Sequence, residues 1–160
     1  MLYFATMSPG TFHNQVIWIT GASSGVGEGL AVAFAEAGAR VVLSARRADE
    51  LERVRGRMTA GDHVVLPMDV TDYPALPGKV ALVNDRMGRI DVLICNAGIS
   101  QRSRFAETTL DVFRTIIEVN VMGPAAHIHA VLPVMRSQGH GHVVVTSNVD
   151  GAFEAAGFAA

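Results

Sequence analysis

The stretch QVIWITGASSGVGEGLAVAFAEAG, residues 15–38, decides how the chain reads. Its opening run QVIWIT (15–20) carries no polar alternation, the pattern of a strand covered on both faces. Its closing run GEGLAVAFAEAG (27–38) is helix-like and ends in glycine. Between them Gly21, Gly25 and Gly27 are spaced TGxxxGxG. A strand that passes straight into a helix needs residues without Cβ at this point. They let the backbone turn tightly, approach a pyrophosphate and pack the helix on the sheet, while the helix N-terminus offers N–H groups and partial positive charge. Gly21, Ser23, Ser24, Gly25, Val26 and Gly27 are therefore candidate cofactor-binding residues, against the competing reading of an ordinary strand-to-helix turn. The spacing differs from the GxxxxGK[ST] of a P-loop. Val26 and Gly27 occupy the stretch where its lysine is expected, which disfavours an ATPase.

Four further apolar runs recur outward from this stretch: RVVLSA (40–45), HVVLPM (63–68), DVLIC (91–95) and HVVVTS (142–147), giving five expected strands in all. Helix-like segments separate them. ADELERVRGRM (48–58) carries charges on an exposed face, PALPGKVALVNDRMG (74–88) ends in glycine, and a long helix is expected from Leu110 to Met135. Strand alternating with helix predicts right-handed crossovers and an α/β fold with a doubly wound, Rossmann-like parallel sheet of five strands. No repeat or low-complexity linker divides the pattern. The expectation is one dinucleotide-binding domain over residues 14–160, after a lead-in of residues 1–13. In such sheets ligands bind beyond the carboxyl ends of the strands.

With 160 residues, 49% of them hydrophobic, and a mean hydropathy of +0.30, the chain can bury a sizeable core. Charged residues make up 18% and the net charge is -2, so no basic stripe follows a phosphate backbone and nucleic acid is not an expected partner. The single cysteine, Cys95, cannot form an internal disulfide. The six histidines supply no C-x-x-C or H-E-x-x-H ligand set, so no metal is expected. MLYFATMSPG has no positive n-region, and no later run approaches the ~18 apolar residues of a membrane span. A cytoplasmic location without a membrane partner is expected.

Taken in order, TGxxxGxG, the SARR that closes the second strand, the DV after the third, the NAG after the fourth and the VNVMG beyond it resemble the short-chain dehydrogenases/reductases, from about residue 15 to residue 160. The resemblance implies hydride transfer between a nicotinamide and a carbonyl or secondary alcohol. Ala45 stands where NAD-preferring relatives carry an acid, and Arg46 and Arg47 follow at once, able to pair with a 2'-phosphate, so NADP(H) is expected over NAD(H). The competing reading makes both arginines solvated charges at a helix start. By the same resemblance Asp69 and Val70 lie at the adenine ring, with a plain helix N-cap as the rival use of the aspartate. Asn96, Ala97 and Gly98 match the element that braces the sheet and lies along the cofactor ribose. Cys95 replaces the commoner first asparagine and reads as a buried small hydrophobe. Asn120 corresponds to an active-site asparagine that helps hold a water in a proton relay. Set among Ile116, Ile117, Val119 and Val121, it needs a hydrogen-bond partner if buried, the alternative being a place on the wet side of its helix.

The resemblance breaks at the proton-transfer residues. In the family a tyrosine exchanges the proton, activated by a lysine four residues later, and a serine positions the substrate oxygen. Here the only tyrosines are Tyr3 and Tyr73, and Lys79 is the only lysine. Ser147 fills the first position of the family's serine pair, while Asn148 fills the second and cannot reproduce a hydroxyl's donor and acceptor roles. The tyrosine's place falls just beyond Ala160. The expectation is an NADP(H)-dependent oxidoreductase by lineage, truncated before its YxxxK segment and inactive alone. It would act on a small carbonyl or alcohol compound if completed, and its open fifth-strand edge would invite homo-oligomerisation. The alternative is a non-catalytic NADP(H)-binding or regulatory module. A methyltransferase or flavoprotein is disfavoured by the NAG and VNVMG elements.

Overall fold

Side chains alternate along Val16–Thr20 (β1): Val16 and Trp18 enter one apolar layer, Ile17 and Ile19 the other, and all four are fully buried. That alternation without polar residues is what a central strand between two helical layers requires. The computed structural model describes residues 10–101 and 103–146. After β1 come Gly25–Glu36 (α1), Arg40–Ser44 (β2), Ala48–Arg55 (α2), Val64–Val65 (β3), Leu76–Met87 (α3) and Val92–Cys95 (β4). They are followed by Leu110–Ile117 (α4), Gly123–Gln138 (α5) and His142–Val145 (β5). The five strands form one parallel sheet in the order β3-β2-β1-β4-β5, the expected Rossmann-like arrangement.

Leu51 and Val54 of α2, with Ala31 and Ala35 of α1, cover one face of the sheet. Val80, Val83 and Met87 of α3, with Val131 and Met135 of α5, cover the other. Trp18 is buried without an unsatisfied indole because its Nε1 donates to Ser44 Oγ of the neighbouring strand at 2.9 Å. At the amino ends of the strands Asp91 is nearly buried. Its Oδ2 accepts from the Val16 N–H at 2.8 Å, and its Oδ1 lies 2.8 Å from His140 Nε2 and 2.9 Å from Arg89 Nε. Burial works to raise its carboxyl, but these bonds outweigh it and leave the group below its ordinary value. Within the expected lead-in, the Phe12 ring meets Phe34 of α1 edge-on at 4.9 Å, so this part of the segment packs on the domain.

Two elements differ from the expectation. The strand expected over HVVLPM (63–68) pairs as a ladder only at Val64–Val65. Pro67 falls between Leu66 and Met68, whose N–H groups still donate to the Leu43 and Ala45 carbonyls at 2.9 Å, so its missing N–H faces away from β2, as an edge strand allows. The single helix expected from Leu110 to Met135 is interrupted by a π-helical turn, Glu118–Met122. Pro124 follows at once and removes one helical N–H, and the wide turn opens where the regular bond is lost.

Candidate nucleotide-binding and active site

Gly21 leaves β1 with φ of 69°, and a Cβ there would stand 2.7 Å from the Ala97 Cα. A Cβ on Gly27 would collide with the Gly21 carbonyl and come 2.6 Å from Asn96 Nδ2. Both glycines are thus demanded by the close approach of the turn to the Asn96–Ala97 segment, before any ligand is considered. Ser24 is the extended N-cap residue of α1 and makes no side-chain capping bond, and Ser24, Gly25 and Val26 are exposed. The first-turn N–H groups of a helix have no partner within it. An exposed, uncapped helix start behind a turn too tight for side chains fits a pyrophosphate, and Gly21, Ser23, Ser24, Gly25, Val26 and Gly27 are the residues that would line it.

One hydroxyl knits this turn to the next strand end. Thr20 Oγ1 accepts from the Asn96 N–H at 3.0 Å and the Ala97 N–H at 3.1 Å and donates to the Ile94 carbonyl at 3.4 Å. Asn96 Nδ2 donates to the Gly21 carbonyl at 3.3 Å, and its Oδ1 accepts from Thr146 Oγ1 at 3.3 Å. Asn96 therefore braces β1, β4 and the end of β5, and Gly98 lies against the Asn120 amide. Neither Thr20 nor Thr146 stood out in the sequence, although Thr20 opens the TGxxxGxG pattern.

The carboxyl end of β2 lies beside the turn, where Ala22 N–H donates to the Ser44 carbonyl at 3.1 Å. Arg46 and Arg47 follow with exposed side chains. Among the described residues neither guanidinium makes an ion pair, whereas Arg40, Arg53, Arg55, Arg57, Arg86, Arg89, Arg104 and Arg114 all do. Asp69 is not a helix cap. Its Oδ1 accepts from Thr71 N–H at 2.9 Å and Thr71 Oγ1 at 2.7 Å, bonds that close a turn and, with the Arg46 charge, hold the carboxyl below its ordinary value. Val70 packs toward the helix, so that a Cβ on Gly123 would meet its Cγ2 at 3.3 Å.

Asn120 sits in the π-helical turn. Its Oδ1 accepts from the Ile99 N–H at 2.9 Å and its Nδ2 donates to the Ile99 carbonyl at 2.8 Å. The residue is exposed by area, yet its amide is tied on both sides to the chain just past Gly98. Ile99, Ser100 and Gln101 face Asp111, Val112, Thr115 and Ile116 across a groove of about 250 Å³. Cys95 is buried in β4 and its thiol is pushed up to about 11 by that burial, so it is no nucleophile. Tyr73 donates to the Glu118 carboxylate, which raises its phenol to about 12, and Lys79 Nζ donates to the Pro67 carbonyl at 3.1 Å. Ser147 and Asn148 lie outside the described residues.

Residues 15–160 match the family model described as short chain dehydrogenase. The chain belongs to the short-chain dehydrogenase family. Members of that family are oxidoreductases that bind a nicotinamide cofactor and act on small molecules. The chain is similar to dehydrogenase/reductase SDR family member 7 of Homo sapiens, with 42% identity over 144 residues that cover 86% of this chain and 42% of that protein. It therefore spans less than half the length of this curated relative. Among solved structures it resembles a short-chain dehydrogenase from Streptomyces avermitilis (TM-score 0.79, 39% identity, 86% of this chain and 50% of that one). It also resembles a metagenomic short-chain oxidoreductase in complex with NADP (TM-score 0.77, 29% identity, 86% of this chain and 63% of that one). Among the described residues no helix is long and apolar enough to cross a membrane.

Proposed function

We propose that this chain forms the nucleotide-binding part of a short-chain oxidoreductase that takes NADP(H) in preference to NAD(H) and acts on a carbonyl or secondary alcohol. The observation that carries the reading is the exposed pair Arg46 and Arg47 at the end of β2, neither in an ion pair among the described residues, with Ala45 where an acid would favour NAD(H). Most other arginines of the chain spend their charge on a carboxylate, so these two are free to meet a phosphate bidentately. The NADP bound by the metagenomic relative supports the same direction. When bound, the nicotinamide would supply the hydride. The turn after β1 would seat the pyrophosphate on the α1 N-terminus, Asp69 and Val70 would flank the adenine, and Asn96, Ala97 and Gly98 would lie along the ribose. Asn120, locked onto Ile99, would orient a water beside the reacting end.

The 160 residues hold no tyrosine followed by lysine at the fourth position, and Asn148 replaces the substrate-orienting hydroxyl. The chain by itself is therefore expected to bind nucleotide without turnover. Calorimetric titration with NADPH and with NADH tests the reading. NADPH should bind more tightly, and replacing Arg46 and Arg47 together by alanine should cost about 10- to 100-fold in NADPH affinity while leaving NADH near its starting value. Equal affinities in the unaltered chain would overturn the preference.

Asn148 favours a second reading, a non-catalytic NADP(H)-binding or regulatory module. Appending a YxxxK-bearing C-terminal segment and assaying carbonyl reduction separates the two, since turnover with Asn148 in place removes the support for a silent module.

A further inference from the structure

Glu28 occupies the first turn of α1, where the helix favours an anionic ligand and where a carboxylate of its own opposes one. Its side chain is only 15% exposed, and two arginines from beyond β2 hold it. Arg53 of α2 grips both oxygens, Nη1 to Oε1 at 3.0 Å and Nη2 to Oε2 at 2.9 Å, and Arg57 pairs with Oε1. The same Arg53 reaches Glu50 Oε2 through Nε at 2.8 Å, and its Nη2 also donates to the Ser23 carbonyl at 3.1 Å, inside the glycine-rich turn. The hydrogen bond from Arg53 is the first reason that the Glu28 carboxyl lies below its ordinary value, while the bonds to Glu28 and then Glu50 raise Arg53 above its own. Meeting two carboxylates and a carbonyl at once uses the rigid fork of a guanidinium, which a lysine does not possess. The helix that carries this fork begins directly after Arg46 and Arg47, at Ala48.

We propose that Arg53 is a positioning residue for cofactor choice: its clasp on Glu28 and on the Ser23 carbonyl neutralises the carboxylate beside the phosphate seat and fixes the glycine-rich turn against the start of α2, so that Arg46 and Arg47 face a 2'-phosphate. The inference rests on the reading that this site takes NADP(H). Without Arg53, Glu28 keeps only Arg57, and the glycine-rich turn keeps toward β2 and α2 only the backbone bond from Ala22 to Ser44.

The test is calorimetric titration of the 160-residue chain and of its Arg53→Lys, Arg53→Ala and Arg53→Ala/Glu28→Gln variants with NADPH and with NADH, alongside a urea midpoint for each. Both single variants should weaken both nucleotides, since the unmasked carboxylate opposes the pyrophosphate they share, and should lose about ten-fold more in NADPH than in NADH affinity, one charge-assisted contact to the 2'-phosphate being at stake. The double variant, which also removes the unneutralised carboxylate, should recover part of that loss. Loss of both nucleotides in equal proportion, tracking a lowered urea midpoint, would make Arg53 a merely structural residue and overturn the proposal. An unchanged preference in Arg53→Lys and in the double variant would overturn it too, even if Arg53→Ala failed to fold. Lack of NADPH preference in the unaltered chain would instead remove the cofactor reading, and this inference with it.

Discussion

β1 and β5 are built from similar residues, VIWIT and HVVV, and both pair in parallel with β4, yet they live in different surroundings. Val16, Ile17, Trp18 and Ile19 have no exposed surface, whereas Val143, Val144 and Val145 are 38%, 44% and 51% exposed. α4 and the π-helical turn repeat the contrast, with Leu110, Ile117 and Val121 more than half exposed. Apolar sequence and backbone pairing are enough to place a strand in the sheet. They do not bury it. Burial takes a second layer on each face, and among the described residues β5 has neighbours on one side only.

The contrast predicts an uneven response to truncation. Trp18→Ala removes the largest fully buried side chain and its bond to Ser44, and should cost about 3–5 kcal/mol in urea unfolding, while Val144→Ala should cost less than about 1 kcal/mol. Comparable losses would erase the distinction between the two strands. Thiol chemistry sharpens it further. Cys95, with its thiol pushed up to about 11 in β4, should react with an alkylating reagent near neutral pH about 100-fold more slowly than a cysteine introduced by Val144→Cys one strand away. Similar rates would mean that β4 is not shielded.

The smallest effect concerns acid stability on the α5 side of the core. His127 is 1% exposed, its Nδ1 donates to the Gly123 carbonyl at 2.8 Å, and its Nε2 has no partner among the described residues. Burial is the main cause that puts this imidazole below its ordinary value. Its folded value is depressed, so the unfolded chain takes up the proton first. The stability it supports is complete above about pH 6.5 and is lost as pH falls from there through the lowered folded value. His127→Leu should flatten the stability profile over that window by about one proton, measured as the change in unfolding free energy with pH. An unaltered slope would show that the ring is solvated, unlike the core around Trp18, whose indole it meets at 6.2 Å.

The sheet was legible because its signals are local: uninterrupted Val/Ile/Leu runs and glycines at fixed offsets. The same holds for the glycine-rich turn, the arginine pair and the asparagine of the π-helical turn, each a short pattern at a strand or helix end. What escaped depends on distance along the chain. The Thr20 hydroxyl meets N–H groups 76 and 77 positions away, and Arg53 finds Glu28 across 25. In the sequence Arg53 reads only as one charge on an exposed helical face, a reading true of its bond to Glu50 and blind to the other two. β3 shrank to two residues although Leu66 and Met68 still reach Leu43 and Ala45, and the long helix split where Pro124 removed a helical donor, small changes that periodicity over a long window averages away.

The π-helical turn at Glu118–Met122 absorbs one residue more than an α turn, so the face that α5 shows to the sheet stays in register across it. Deleting a single residue there would let the helix close up as α while everything downstream keeps its angular position. Gly123, His127, Val131 and Met135, which form one inward stripe, would stay on the core, whereas a deletion inside α5 itself would swing the residues beyond it off by about 100°. Related chains should therefore tolerate a one-residue length difference at this turn better than one inside α5.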